Sequence, residues 1–223
     1  MDLKSKIFIF LSLLFLIFII FFLPKFLRVG KISCESQFGP CSQILLTQIE
    51  MIQNERLGQA RARLKEILSK EILVKEFCIH YQFPRNLEVS TIERKAKFTL
   101  KNKSEKSLAF VDEEGYIVSI DESSNLPRII ISESAGNVGE KIQDKQLFAL
   151  EILNELFASN QIKEGEIENG ILIVRLDDII VRFPLEGDKG VLITSLNLVL
   201  NKYRELGEMP KEIDLRYKNP VIK

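Results

Sequence analysis

The sequence predicts an α+β protein behind a single apolar segment, and three observations carry that expectation. Seven of the 15 Phe lie within the first 28 residues. Two short stretches of helical periodicity then precede two β-rich segments, and the remainder alternates hairpin-like strands with two longer amphipathic stretches. A chain of 223 residues has room for one large or two small domains.

The apolar segment runs from Ile7 to Leu23 and is broken only by Ser12. At about 1.5 Å per residue it covers roughly 26 Å, enough for a short membrane span. Lys4 and Lys6 precede it, and Lys25 and Arg28 follow. A cleavable signal would have a shorter core and a small-x-small site, whereas Pro24-Lys25-Phe26-Leu27-Arg28 follows here. The expectation is a retained single-pass helix over 7–23. Basic residues on both sides do not orient it, but a tail of residues 1–6 fits best in the cytoplasm, which puts the body outside.

Residues 29–95 form the first expected domain. Val29 to Cys34 is extended. Leu45, Ile49 and Ile52, then Leu57, Ala60, Leu64 and Leu68, fall at helical spacing in two segments divided near Gly58. Leu73 to Phe83 and Leu87 to Ile92 read as strands joined by a tight turn at Pro84-Arg85-Asn86. The order is β-α-α-β-β.

Residues 96–223 form the second, a mixed β domain with two helices. Leu108 to Val111 and Tyr116 to Ile120 flank the turn Asp112-Glu113-Glu114-Gly115, and Arg128 to Ile131 is a further strand. Asp144 is placed to cap a helix bearing Leu147, Leu150, Leu153 and Phe157. Ile171 to Leu176 and Ile179 to Phe183 are strands turning at Asp177-Asp178. A helix over about 191–206, with Leu192, Leu196, Val199, Tyr203 and Leu206 as its stripe, stops at Gly207 and Pro210. In Glu212-Ile213-Asp214-Leu215-Arg216-Tyr217-Lys218 the apolar and charged residues alternate, which predicts a last strand with one buried and one wet face.

Charge excludes one class of partner. Beyond residue 28 the chain has 27 Lys+Arg and 30 Asp+Glu with the signs interspersed, unlike the basic patch of a nucleic-acid binder. Catalytic motifs are also missing. The single His, His80, has Cys78 two residues away but no orienting partner, and Gly136-Asn137-Val138-Gly139-Glu140-Lys141 lacks the spacing and the final Ser/Thr of a phosphate loop. No catalytic residue, cofactor or metal is expected. Cys34 and Cys41 bracket a turn-forming segment that could bring them within disulfide range, which would imply an oxidising compartment. Two free thiols, or a zinc or redox site built from Cys34, Cys41, Cys78 and His80, are the other readings.

Pro84-x-x-Leu87-x-Val89-x-x-Ile92-Glu93-Arg94-x-Ala96, behind the β-α-α-β-β unit, resembles the POTRA domain of the bacterial cell-division family FtsQ/DivIB. Phe110-Val111-Asp112-x-x-Gly115-Tyr116-Ile117-Val118, Leu126-Pro127 and Ile213-Asp214-Leu215-Arg216-Tyr217-x-Asn219-Pro220-Val221 are similar to the family's β-domain signatures and occur in the same order. The chain departs from the family pattern at Lys95 and in the Cys34–Cys41 loop. The resemblance implies a POTRA-like first domain and an FtsQ-type β domain. It further implies a non-enzymatic, membrane-anchored scaffold of the division machinery that binds coiled-coil partners of the FtsB/FtsL type outside the cytoplasmic membrane. No nucleic acid or small-molecule substrate is implied. A terminal strand with an unpaired edge can accept a peptide by main-chain hydrogen bonds. Ile213, Leu215, Arg216, Tyr217 and Lys218 are therefore the candidate partner-binding residues, with Arg216 able to fork onto a partner carboxylate.

Overall fold

The computed structural model describes residues 27–223, together with Phe10. The chain divides into two compact units between Arg94 and Lys95.

The first unit has the element order β1 (Lys31–Ser36), β2 (Gly39–Pro40), α1 (Gln43–Glu50), α2 (Leu57–Lys70), β3 (Val74–Gln82) and β4 (Asn86–Glu93). Its sheet is ordered β2-β1-β4-β3, with β1 parallel to β4 and β3 antiparallel to β4. Ser42 caps α1 by accepting from the Leu45 N–H. Leu45 and Ile49 of α1 and Ala60, Leu64 and Leu68 of α2 meet Ile32, Cys34, Leu87 and Val89 in one core. The helical spacing in the sequence is the inward face of both helices. The short strand β2 had no sequence signal, because it is made by the return of the chain from Cys34 to Cys41.

The second unit comprises β5 (Phe98–Asn102), β6 (Leu108–Val111), β7 (Ile117–Asp121), β8 (Arg128–Ile131), α3 (Asp144–Asn160), β9 (Glu164–Glu168), β10 (Ile171–Leu176), β11 (Ile179–Phe183), α4 (Lys189–Leu206), β12 (Glu212–Asp214) and β13 (Val221–Ile222). One mixed sheet holds nine strands in the order β13-β12-β11-β10-β9-β8-β5-β6-β7. Leu150, Ile152, Leu153 and Leu156 of α3 and Leu196 and Leu200 of α4 bury against Leu100, Ile129, Leu172, Val174, Val181, Phe183 and Ile213. The ion pairs Arg128–Glu164 at 2.6 Å and Arg182–Glu212 at 2.8 Å lie among the polar strand positions.

The structure corrects the fold class that the sequence predicts. Among the described residues there are four helices, and none is long and apolar enough to cross a membrane. The expected membrane helix, residues 7–23, lies outside the described residues. The class supported is α+β with two sheets.

Smaller differences have local causes. Strands β5 and β9 gave no clear signal. Strand β9 reads Glu-Gly-Glu-Ile-Glu and owes its place to pairing on both sides, with β8 and β10. Helix α3 is capped by Gln143 rather than Asp144, with the Gln146 side chain accepting from the Gln143 N–H at 3.1 Å. Leu206, expected in the stripe of α4, is 63% exposed at the helix end. There Gly207 takes φ +74° and closes the helix. The Asp112–Gly115 turn forms as expected. The Asp112 carboxylate accepts from the N–H groups of Glu114 and Tyr116 at 3.0 and 2.8 Å, and Gly115 sits at φ +88°.

Candidate functional site

The C-terminal segment enters the sheet as β12, parallel to β11, with Ile213 opposite Val181. The strand stops at Asp214. The chain then loops through residues 215–220 and returns as β13, antiparallel to the outer edge of β12, with Ile213 opposite Ile222 and Asp214 opposite Val221. The edge expected on the last strand is thus covered by the chain's own end. The exposed edge at this side of the sheet is β13. Glu212 and Lys223 exchange both main-chain bonds, at 3.1 and 3.0 Å. By the alternation of an antiparallel ladder, the N–H and C=O of Ile222 therefore point outward.

The five candidate residues divide in two. Ile213 and Leu215 are buried at 0% and 3% exposure and belong to the core. Arg216, Tyr217 and Lys218 are exposed in the loop. With Pro184, Val191, Leu192 and Ser195 they line a shallow recess of about 270 Å³. Tyr217 is 58% exposed and Val191 60%, so the recess is rimmed by two apolar side chains open to solvent. Val191 escaped the sequence reading because it lies off the buried stripe of α4. Its signal would have been an apolar residue one turn inside an Asp cap, on the helix face without a partner.

The expected alternation fails at Asp214, and chemistry explains why. Asp214 is buried. Its carboxylate accepts from the Arg216 guanidinium through three contacts of 2.6 to 3.1 Å, and from the Arg216 N–H at 3.1 Å. The fork of Arg216, expected to reach a partner carboxylate, is taken by its own neighbour two residues back. The guanidinium also lies 5.7 Å from the Tyr217 ring centre, so the pair steadies the aromatic ring.

The guanidinium holds the Asp214 carboxyl below the usual carboxylate range, against the opposing effect of burial. Glu212 is lowered likewise, first by Arg182 and also by Lys223. A carboxyl lowered in the folded state adds stability that is complete above its unfolded pKa of about 3.9 and is lost as pH falls through the folded value. Below about pH 4 the urea midpoint of the wild-type chain is expected to fall with acid more steeply than that of Asp214→Asn. Parallel acid profiles would remove this account.

The other candidates sit in the first unit. Cys34 and Cys41 form a disulfide with Cα atoms 5.5 Å apart, both side chains in the core. Cys78 is a free thiol on the opposite, exposed face of the sheet, 3.2 Å from His80 Nε2. The structure does not bring Cys34, Cys41, Cys78 and His80 together. Two sulfurs are bonded to each other and the other two groups lie across the sheet. Among the described residues no cluster of three or more His, Cys, Asp or Glu could hold a metal ion. Two larger recesses in the second unit, of about 630 and 820 Å³, are lined without Cys or His.

Fold and site together describe a two-unit α+β chain with a sheet edge at β13 beside a recess rimmed by Tyr217 and Val191. No family model matches this sequence, and no curated protein matches it.

Proposed function

We propose that this chain is a non-enzymatic scaffold of the bacterial division machinery, working outside the cytoplasm, that binds coiled-coil partners of the FtsB/FtsL type at the β13 end of its nine-stranded sheet. The observation that carries the reading is the exposed edge of β13 beside the recess of Tyr217, Lys218 and Val191. An incoming segment pairs with the outward N–H and C=O of Ile222 and lays an apolar side chain against Tyr217. The main chain sets register and the recess supplies affinity. Two residues of edge give few hydrogen bonds, so most of the binding energy comes from the apolar contact. The order of sequence motifs similar to the FtsQ/DivIB family supplies the partner class. The Cys34–Cys41 disulfide supports a compartment more oxidising than the cytoplasm.

Affinity capture of the full-length chain from the membranes of its own cells tests the reading. Single-helix coiled-coil proteins are expected to co-purify with the wild type. They are expected to be lost with Ile222→Pro, which removes only the outward-facing donor of β13. Failure to recover such proteins, or their retention by Ile222→Pro and Tyr217→Ala alike, would sink the proposal.

A further inference from the structure

The first unit carries a second surface, unrelated to the C-terminal recess, at the end where the chain enters from residue 26. Three arginines converge there. Arg28 and Arg56 face each other across an antiparallel bridge, so their side chains leave on the same side. Arg85, in the turn between β3 and β4, donates from Nε to the Arg28 carbonyl at 3.2 Å, and its own carbonyl accepts from the Gly30 N–H at 2.7 Å. All three are exposed; Arg28 donates from Nη1 to the Asn54 carbonyl at 3.3 Å, and none of the three forms an ion pair among the described residues. The neighbouring Glu55 does not neutralise them, because its carboxylate is held by Arg63. Two residues before Arg85, Phe83 is 85% exposed, the most exposed large apolar side chain among the described residues. It stands at the tip of the β3–β4 turn with nothing to bury it.

An uncompensated cluster of three guanidinium groups beside a bare aromatic ring has the chemistry that anionic lipid headgroups recognise. Phosphates accept the planar donors, and the ring enters the apolar layer beneath them. The position of the cluster points to the same occupant. The Leu27 carbonyl is bonded to the Leu57 N–H at 2.9 Å, beside the arginines. The apolar sequence Ile7 to Leu23 ends four residues earlier. Those seventeen residues, with one Ser, have an apolar composition that favours transfer out of water. Along the chain, Arg28 is the member of the cluster nearest to that apolar sequence.

We infer that Arg28, Arg56, Arg85 and Phe83 form a docking surface for an anionic phospholipid bilayer, which holds the first unit down on the membrane surface. Each basic residue near such a surface contributes roughly fivefold in binding, so the three together contribute on the order of 100-fold.

The chain has no Trp, so Phe83→Trp installs a single reporter at the tip. The full-length chain carrying this change is added to phosphatidylcholine vesicles with or without phosphatidylglycerol, each containing lipid brominated on its acyl chains. Any attachment through residues 7–23 is common to both. The indole emission is expected to shift to the blue and be quenched in the anionic vesicles only. Arg28→Gln/Arg56→Gln/Arg85→Gln is expected to abolish that response, as is molar salt with the unaltered arginines, a measurement that needs no further variant to fold. Arg61→Gln/Lys65→Gln/Lys70→Gln, which removes three exposed charges from α2, is expected to keep it. Water-like emission in anionic vesicles, equal quenching in the two lipids, or equal losses from the two triple variants would overturn the inference. Shielding of the indole by added protein and not by vesicles would assign the surface to a protein partner instead.

Discussion

Ile213→Asp is expected to unfold the nine-stranded unit, whereas Tyr217→Ala leaves its stability unchanged and weakens partner capture on the order of 30-fold. The two residues are four apart and were equal candidates in the sequence. Ile213 is fully buried on β12 against Val181 and the helices above it. A carboxylate there has no partner, and the cost of about 4 kcal/mol or more rivals the whole stability of a domain. Tyr217 sits on the rim of the recess, and truncating an aromatic contact of this kind costs about 2 kcal/mol of binding. Urea denaturation followed by circular dichroism reads the first effect, and titration with the captured coiled-coil partner reads the second. A cooperative wild-type-like transition in Ile213→Asp would contradict the placement of β12. A Tyr217→Ala protein that unfolds early would make Tyr217 a structural residue and not a contact.

Cys34→Ala/Cys41→Ala is expected to lower the stability of the first unit by about 2–3 kcal/mol, the chain-entropy value for a loop this short. The bond ties the exit of β1 to the start of α1 through the return strand β2, and both sulfurs lie in the core with Leu45 and Val89. Its loss loosens a loop while removing two buried side chains. Reduction of the wild type by dithiothreitol is expected to shift the denaturation midpoint in the same direction and by a similar amount. The second unit contains no cysteine and serves as the internal reference. Equal stability with and without reductant would show that the bridge adds nothing to the fold.

Much of the architecture was legible because local periodicity and packing agree. Leu45, Ile49, Leu64 and Leu68 lie at helical spacing in the sequence and on buried helix faces in the structure. The Asp112–Gly115 and Asp177–Asp178 turns were readable from residues that tolerate tight or left-handed backbone, and Asp177 does take φ +52°. Strand β9 was not legible, since three of its five residues are Glu and its stability comes from two neighbouring strands.

The candidate site was half legible. Its residue types stood out as an alternating terminal segment, and alternation implies a strand only while the chain stays straight. Asp214 and Arg216 have the spacing of wet-face neighbours on a strand, yet they form a closed ion pair that bends the chain away after three residues. That bend returns Val221 and Ile222 to cover β12, and it swings Tyr217 toward Val191 on α4. Likewise, nothing local joins Arg28, Arg56 and Arg85, which are separated by 28 or more residues along the chain and meet only through a bridge and one hydrogen bond.

By itself, the sequence determined the α+β class, the inward faces of the helices and the turns, all of which follow from side-chain periodicity and backbone preference within a few residues. Only the tertiary structure decided which candidate residues are core and which are surface, which edge of the sheet is open, and which charges are already paired. Those properties depend on contacts between segments far apart in the chain, where geometry and desolvation, not spacing, set the energy.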